Sequence, residues 1–295
     1  MIFIGGGSSN WKIKMERQVE RQQLEVDGAK VSLRFWPGRG TPLVLLHGFM
    51  DSSQGFDNLA RHTHRPCYAF DLPGFGSSHI AAQPSFDCYA QRICAALDQM
   101  EVEKAIWVAH SMGGAVARAA CDDKQLSKNV SALALITPAG FGKLPLASVM
   151  DHKLLRPVVT GAFPLFSANP LTTILAYPSQ VSGGRRPSGA MVLRTMRSAA
   201  RGPQGPVMAA HALNGINHLT EQQLTACSLY KGPVASLWGE KDRLIPASHS
   251  ETLKLVFPQA TVTNWPDLAH HPQIEQPRRL QGWIEKAATR GRKGH

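Results

Sequence analysis

Two patterns of apolar and polar residues follow each other along the chain. Near the start, apolar and polar residues alternate on both sides of Asp27-Gly28, a dipeptide typical of tight hairpin turns, which predicts two antiparallel strands. Further on, short and mostly apolar runs each end in Gly, Pro, Asp or Ser, as strands do when a sheet is buried on both faces. These runs lie at residues 42–48, 67–74, 105–111, 131–140, 233–242 and 260–267. We therefore expect a mostly parallel sheet that opens with an antiparallel hairpin.

Between the apolar runs, hydrophobic residues recur at the spacing of helices. In residues 85–100 this spacing follows Ser85, a residue suited to cap a helix N-terminus. Further helices are predicted directly after Ser111 and in residues 276–290. The alternation of strands and helices predicts a doubly wound α/β fold.

The same alternation defines the predicted domains. It assigns residues 20–140 and 231–290 to one α/β core domain. Residues 141–230 break the rhythm, because they contain helical patches and no convincing core strand over a length greater than that of ordinary loops. We expect this segment to form a helical cap inserted over the carboxyl edge of the sheet. Residues 1–19 are predicted to be a disordered extension rather than a signal peptide, and residues 291–295 a basic tail.

Composition limits the classes of partner. Hydrophobic residues make up 43% of the chain and charged residues 18%, as in an ordinary globular protein, and no stretch approaches the ~18 apolar residues of a membrane span. Five cysteines without a CxxC pair predict free thiols in a cytoplasmic protein. The net charge of +11 does not indicate nucleic-acid binding, because the basic residues are not interleaved with aromatic ones. The glycine-rich stretches at 5–7 and 182–184 do not lie between a strand and a helix in a GxGxxG pattern, and we predict neither a metal nor a nucleotide cofactor.

A serine stands where an apolar strand ends and a helix begins, in the segment WVAHSMGGAVARA at residues 107–119. A serine hydroxyl becomes a useful nucleophile when a base takes its proton and the backbone lifts it clear of its surroundings. A sharp turn at Ser111 would do the lifting if the residues two before and two after it are small, and these are Ala109 and Gly113. The turn would also direct the backbone N–H of Met112 at a developing negative charge. The alternative is a serine that only caps a helix.

Other reactive side chains also follow strand-like runs. The carboxyl ends of parallel strands are where active sites of open α/β sheets collect. His47-Gly48-Phe49 ends an early strand, and the N–H of Phe49 is placed to supply a second donor to an oxyanion. Asp242 and His270 follow the last two strands, so the order along the chain is Ser, Asp, His.

Five motifs in this order and spacing resemble those of the α/β-hydrolase fold enzymes, over roughly residues 20–290. They are HGF (47–49), DLPGFGSS (71–78), AHSMGG (109–114), GEKDRLIP (239–246) and HHPQIEQP (270–277). The resemblance implies Ser111 as nucleophile, His270 as base and Asp242 as its orienting acid. It also implies an oxyanion hole formed by the amides of Phe49 and Met112, and a cap that shapes substrate entry.

Neighbouring residues compete for two of these roles. The family commonly places a glutamate five residues after the base in an H-x-P-x-x-E pattern, and Glu275 therefore favours His270 over His271. Asp267 competes with Asp242 as the acid, although a polar residue in a Trp-Pro-Asp turn is the simpler interpretation.

Three more side chains near these motifs are expected to have no chemical role. His47 and Asp71 are given structural roles in the turns after their strands. His110 is expected to point away from the site.

These assignments predict a serine hydrolase that cleaves a carboxylic ester or thioester through an acyl-enzyme. Serine rather than aspartate at position 111 disfavours the epoxide hydrolase and haloalkane dehalogenase branches, which use a carboxylate nucleophile. A carbon–carbon bond hydrolase of dienoic acids is a weaker alternative, because its relatives usually carry Gly-Pro-Gly after the HG turn and this chain has FMDSSQGF. An acyltransferase, a perhydrolase and a ligand-binding protein on a hydrolase scaffold are the remaining alternatives.

The charge of the predicted cap bears on the substrate. Residues 141–230 contain eight basic residues and two acidic ones, an excess that makes up more than half of the net charge of the chain. Such an excess is typical of a solvated basic face, and it also fits a small anionic acyl substrate.

Overall fold

The computed structural model describes residues 17–81, 83–155 and 204–290, with a few single positions between 157 and 196. The predicted tail at 291–295 lies outside the described residues, as does most of the predicted N-terminal extension. Arg17 falls within that extension, yet its guanidinium donates hydrogen bonds to the backbone carbonyl oxygens of five residues. They are Trp36, Pro37, Ala60, Thr63 and Arg65.

An eight-stranded sheet forms the centre of the fold, with the strand order β1-β2-β4-β3-β5-β6-β7-β8. Its strands are β1 (Glu20–Val26), β2 (Ala29–Trp36), β3 (Leu43–Leu46), β4 (Cys67–Phe70), β5 (Ala105–His110), β6 (Val130–Ile136), β7 (Val234–Gly239) and β8 (Thr261–Trp265). β2 pairs antiparallel with both β1 and β4, and every other pairing is parallel. Asp27 and Gly28 join β1 to β2 with φ angles of 50° and 69°, which this short hairpin turn requires. The mostly parallel sheet and its N-terminal hairpin are therefore confirmed.

Helices connect the strands. They are α1 (Asp57–Ala60), α2 (Phe86–Gln99), α3 (Met112–Asp122), α4 (Pro145–Asp151), α5 (Gln204–Asn217), α6 (Glu221–Thr225), α7 (His249–Val256), α8 (Pro272–Glu275) and α9 (Pro277–Arg290). The predicted helices appear as α2, α3 and α9. Ser85 caps α2 as expected, since its side chain accepts a hydrogen bond from the backbone N–H of Cys88 at 3.1 Å.

Both faces of the sheet are buried, which explains the continuous apolar runs. Along β3, Val44 and Leu46 point into a core shared with α2, α3 and α7. Leu43 and Leu45 point into a second core on the opposite face, shared with α1 and α9. Burying one such side chain stabilises the fold by roughly 1.5–3 kcal/mol. Because successive residues of the strand face opposite cores, every residue of the strand is apolar.

The strand order places a crevice between the ends of β3 and β5. The chain passes from β3 to β4 on one side and then returns to β5 on the other side of β3. Ligands of open α/β sheets bind at such a reversal, outside the carboxyl ends of the strands. Phe49 follows β3 and Ser111 follows β5, so both lie at this point.

The region predicted as a cap is described only in part. Within its described residues it contains α4, α5 and α6 and no strand, and six of its eight basic residues lie outside them. Asn217 joins α5 to the start of α4, because its amide nitrogen lies 2.9 Å from the carbonyl oxygen of Leu144. A Cβ on Gly205, at the start of α5, would lie 2.0 Å from the carbonyl oxygen of Gly74, in the loop after β4. This helix therefore reaches the carboxyl edge of the sheet.

No helix among the described residues is both long enough and apolar enough to cross a membrane. The five cysteines all lie in the described part of the chain, and no disulfide joins them.

Candidate active site

Ser111 occupies a sharp turn between β5 and α3. Its backbone angles of φ 52° and ψ −120° lie outside the ordinary regions for a residue with a side chain, at a cost of order 1–3 kcal/mol. Three backbone hydrogen bonds hold this conformation. The N–H of Ser111 donates to Ile136 at 3.0 Å, and its carbonyl accepts from Gly114 at 2.8 Å and Ala139 at 2.9 Å. Strain maintained in this way marks the residue as a candidate for function.

The turn depends on a glycine two residues after the serine. A Cβ on Gly113 would lie 2.5 Å from the carbonyl oxygen of Leu46, so α3 starts in close contact with the end of β3. Ala109 is fully buried within β5, between its strand partners Leu46 and Leu135. The atoms nearest to Gly113 thus belong to β3, and the methyl of Ala109 is buried in the core that β3 shares with α2 and α3.

The side chains of Ser111, His270 and Asp242 form a continuous line of hydrogen bonds. Nε2 of His270 lies 2.9 Å from Oγ of Ser111, and Nδ1 lies 2.7 Å from Oδ2 of Asp242. A carboxylate oxygen only accepts, so Nδ1 carries the proton and Nε2 is free to accept the serine proton. The imidazole is 4% exposed and the carboxylate is fully buried, which strengthens the interaction between them.

The second oxygen of Asp242 fixes the orientation of its carboxylate. Oδ1 accepts hydrogen bonds from the backbone N–H groups of Leu244 at 2.8 Å and Ile245 at 3.0 Å. The turn after β7 therefore leaves Oδ2 directed at the imidazole of His270.

Asp267 lies elsewhere and binds other partners. Its exposed carboxylate accepts from Arg279 at 2.8 Å and 3.0 Å and from Gln276 at 2.9 Å. These hydrogen bonds, first those of Arg279 and then that of Gln276, lower the pKa of Asp267 to about 2. Of the two competing acids, only Asp242 contacts the imidazole of His270.

Two backbone amides border Ser111. In the described part of the chain, neither the N–H of Phe49 nor that of Met112 donates to a protein acceptor. Gly48 lets the Phe49 loop come close, since a Cβ there would lie 3.0 Å from Cβ of Ser111. The N–H of Met112 is also at the N-terminus of α3, where the helix dipole favours negative charge.

His47 supports the Phe49 loop. Its Nε2 accepts a hydrogen bond from the backbone N–H of Leu72 at 3.0 Å. Nδ1 therefore carries the proton and donates to the carbonyl of Gly48 at 2.7 Å. This imidazole is fully buried and has the structural role expected from the sequence.

Asp71 ties the same loop to the turn after β4. Its carboxylate accepts from the backbone N–H of Ser53 at 2.8 Å and from that of Ser77 at 2.7 Å. Asp71 therefore supports its turn, as the sequence suggested, and also anchors the segment that follows Phe49.

His110 differs from the expectation that it points away from the site. Its Nε2 lies 2.7 Å from the carbonyl oxygen of His270, and the two ring centroids are 4.8 Å apart. Gln273, which the sequence analysis did not single out, bonds to the other side of the His110 ring. No local motif signals these contacts, because they join segments about 160 residues apart.

His249 is a histidine that the sequence analysis did not single out. A Cβ on Gly142 would lie 2.2 Å from its Nε2, so the ring fills the space that this glycine leaves. Burial lowers the pKa of His249, although the nearby charge of Asp242 acts in the opposite direction. Its buried Nδ1 has no hydrogen-bond partner among the described residues.

Comparisons with known proteins agree with this architecture. A family model described as alpha/beta hydrolase fold matches residues 41–277. The dihydrolipoyllysine-residue acetyltransferase component of the acetoin cleaving system of Pseudomonas putida is 29% identical over 246 residues, covering 80% of this chain and 60% of that protein. Lipase 1 of Psychrobacter immobilis is 25% identical over 246 residues, covering 80% of this chain and 73% of the lipase. The chain thus spans less than two thirds of the Pseudomonas putida protein.

Solved structures show the same fold at low sequence identity. Epoxide hydrolase CorEH has a TM-score of 0.78 and 15% identity, covering 92% of this chain and 99% of that one. An esterase from Exiguobacterium antarcticum has a TM-score of 0.68 and 17% identity, covering 90% and 98%. At such identities the likeness concerns the fold alone.

Proposed function

Because the chain belongs to the α/β-hydrolase fold family, we propose that it is a serine hydrolase of carboxylic esters or thioesters. One observation carries the proposal, namely the line of hydrogen bonds from Ser111 through His270 to the buried carboxylate of Asp242. The strained turn at Ser111 supports the same assignment, as do the amides of Phe49 and Met112, which donate to no acceptor in the described part of the chain.

In the first half of the reaction, Nε2 of His270 takes the hydroxyl proton as Oγ of Ser111 attacks the acyl carbon. A new C–O bond forms and the carbonyl electron pair moves to its oxygen. The N–H groups of Phe49 and Met112 donate to this oxyanion, and one donor of this kind is worth about 10²–10³ in kcat. Protonated His270 then gives its proton to the leaving oxygen or sulfur, which departs and leaves an acylated serine.

In the second half, His270 deprotonates a water molecule that attacks the acyl-serine. The tetrahedral species collapses, the serine recovers its proton and the carboxylic acid leaves. Asp242 stays ionised throughout, because its role is to hold the Nδ1–H and to stabilise the imidazolium. Its complete burial makes this stabilisation stronger than it would be in water.

Acyl transfer is the second candidate function. The Pseudomonas putida relative carries the name of an acetyltransferase component and aligns over 80% of this chain. The chemistry up to the acyl-enzyme is the same, and only the acceptor differs. Adding an alcohol or thiol to the assay distinguishes the two, since a transferase forms the new ester or thioester while a hydrolase continues to release the acid.

We also propose that the substrate carries a negative charge. The support is the sequence of residues 141–230, which has eight basic residues and two acidic ones. Lys143 and Lys153 are exposed in the described part of the predicted cap, which also contains both acidic residues, Asp151 and Glu221. Salt should therefore lower kcat/KM for an anionic ester while leaving a neutral ester of the same acyl group unchanged. An equal response of the two esters would contradict this charge preference.

The test of the mechanism combines a substrate panel with covalent labelling. Wild type and Ser111→Ala are assayed on esters, thioesters and dienoic acids, and both are treated with a fluorophosphonate probe. Ser111→Ala should lose labelling and at least three orders of magnitude in turnover. Near-normal turnover of Ser111→Ala on any substrate would refute the mechanism.

Two aspartates offer a matched comparison for the acid. Asp242→Asn should lower kcat by roughly three to four orders of magnitude, because the amide can no longer orient the imidazole. Asp267→Asn makes the same chemical change at an exposed site and should leave kcat within about twofold. Similar rates for the two variants would remove Asp242 from the mechanism.

A further inference from the structure

His110 directly precedes Ser111 and contacts the main chain of His270. Nε2 of His110 lies 2.7 Å from the backbone carbonyl oxygen of His270. A carbonyl oxygen only accepts, so Nε2 carries the proton and donates it. His110 thus joins the end of β5, which carries the serine, to the loop after β8, which carries the base.

Gln273 fixes His110 in this orientation from the opposite side of the ring. Its amide nitrogen lies 3.2 Å from Nδ1 of His110 and 3.5 Å from Nδ1 of His271. Nδ1 of His110 bears no proton in the tautomer described above, so it accepts from Gln273. The shorter of the two bonds is the one to His110, and it sets the direction in which Nε2 points.

Packing alone does not explain these side chains. His110 and Gln273 are each 1% exposed, and Oε1 of Gln273 is a buried acceptor without a hydrogen-bond partner in the described residues. Such an atom is destabilising compared with an apolar side chain of the same shape. What the polar pair supplies, and an apolar pair would lack, is a directed donor to the carbonyl of His270.

The backbone carbonyl of His270 accepts hydrogen bonds from two side chains, and these help to position the imidazole of the same residue. Thr137, after β6, donates to the same oxygen at a longer distance of 3.4 Å. Two side chains from neighbouring strand ends therefore hold the backbone carbonyl of His270. The 2.9 Å separation between Nε2 of His270 and Oγ of Ser111 depends on that placement.

We infer that His110, oriented by Gln273, is a positioning residue for His270. The inference rests on the proposed serine-hydrolase function and adds to it a residue that does not touch the substrate. Its effect is on proton transfer and attack, so it should change kcat and the reactivity of Ser111 and leave substrate binding nearly unaltered.

The test compares two substitutions of the same histidine. His110→Met has a similar length and no donor, whereas His110→Gln places an amide N–H near the position of Nε2. We expect His110→Met to lower kcat and the rate of fluorophosphonate labelling by about tenfold to a hundredfold, with KM within about twofold. His110→Gln should recover most of that loss. Gln273→Met should change both rates in the same direction by a smaller factor, and it provides the test if His110→Met does not fold.

A core variant controls for lost stability. Ile93 is fully buried in α2, away from the site, and Ile93→Val should lower Tm without changing the labelling rate. The inference is overturned if the methionine variants of His110 and Gln273 label at the wild-type rate, if His110→Gln is as slow as His110→Met, or if KM rises as kcat falls. Labelling that persists in Ser111→Ala would instead refute the proposed function itself.

Discussion

Gly113→Ala tests the packing that shapes the serine turn. The added Cβ would lie 2.5 Å from the carbonyl oxygen of Leu46, and ordinary contact begins at 3.4 Å. Either α3 or the end of β3 must therefore move by roughly 1 Å, a shift that a packed interior resists. Leu46 is the last residue of β3 and precedes Phe49 by three residues, so the movement reaches both Ser111 and the amide of Phe49, a proposed oxyanion donor.

The expected magnitude follows from two opposing terms. Forcing a methyl into a filled space costs about 1–3 kcal/mol, while replacing glycine by alanine in a helix returns up to ~1 kcal/mol. The net destabilisation should be about 1–2 kcal/mol, which lowers Tm by roughly 2–6 °C in a protein of this size. Misplacement by about 1 Å should lower kcat about a hundredfold.

Thermal unfolding and fluorophosphonate labelling measure the two effects. Gly282→Ala is the matched control, because Gly282 lies inside α9 and a Cβ there meets no atom within 4 Å. That variant should raise Tm by roughly 2–3 °C and label at the wild-type rate. If Gly113→Ala melts at or above the wild-type Tm and labels normally, contact with β3 is not the reason for the glycine.

Three further substitutions test other contacts by their effect on Tm. Ala109→Gly removes a buried methyl and makes the strand more flexible in the unfolded chain, so it should lower the free energy of unfolding by about 1–2 kcal/mol and give no gain in kcat. A higher kcat would show that the alanine impairs the turn. Burial alone would raise the pKa of Glu285, but its hydrogen bonds and charge interaction with Arg65 hold the pKa below the usual 4.5. The ion pair therefore stabilises the fold above about pH 4.5 and loses its effect as pH falls through the lowered pKa. Glu285→Gln should lower Tm at neutral pH, and its Tm should differ less from that of wild type in acid. A Tm difference that grows in acid would contradict this. Asp71→Asn sets an amide N–H against a backbone donor and should cost about 1.5–3 kcal/mol, and an unchanged Tm would show that its two hydrogen bonds are not needed.

The sheet could be predicted because its signals are local and strong. Asp27-Gly28 adopts the two positive φ angles that a short hairpin needs, and the apolar runs became strands buried on both faces. The strand ends and the motifs also indicated Ser111, Asp242 and His270, and the side chain of His270 lies within hydrogen-bond distance of each of the other two.

Contacts between distant segments could not be predicted in the same way. Arg17 lies in a polar segment without periodicity, and only the folded chain shows its guanidinium among five carbonyl oxygens. His110 occupies a variable position of the serine motif, and its partner carbonyl is 160 residues away. His249 belongs to none of the motifs, and its relation to Asp242 follows from the packing of α7 against Gly142.

The relative positions of the site residues depend on the packing around the end of β5 and not on the serine motif alone. Gly113 lies against the end of β3, Gly48 lies against Ser111, and His110 contacts the backbone of His270. Each contact joins β5 or α3 to a segment distant in sequence, so the positions of Ser111, Phe49 and His270, the proposed nucleophile, oxyanion donor and base, all depend on the end of β5. Ala109 is compatible with this arrangement because its methyl is buried in the core on the α2 and α3 face of the sheet, where the side chain of Leu46 also lies. The requirement for a residue without a side chain therefore falls on Gly113 and Gly48, and alanine at position 109 leaves the geometry of the site intact.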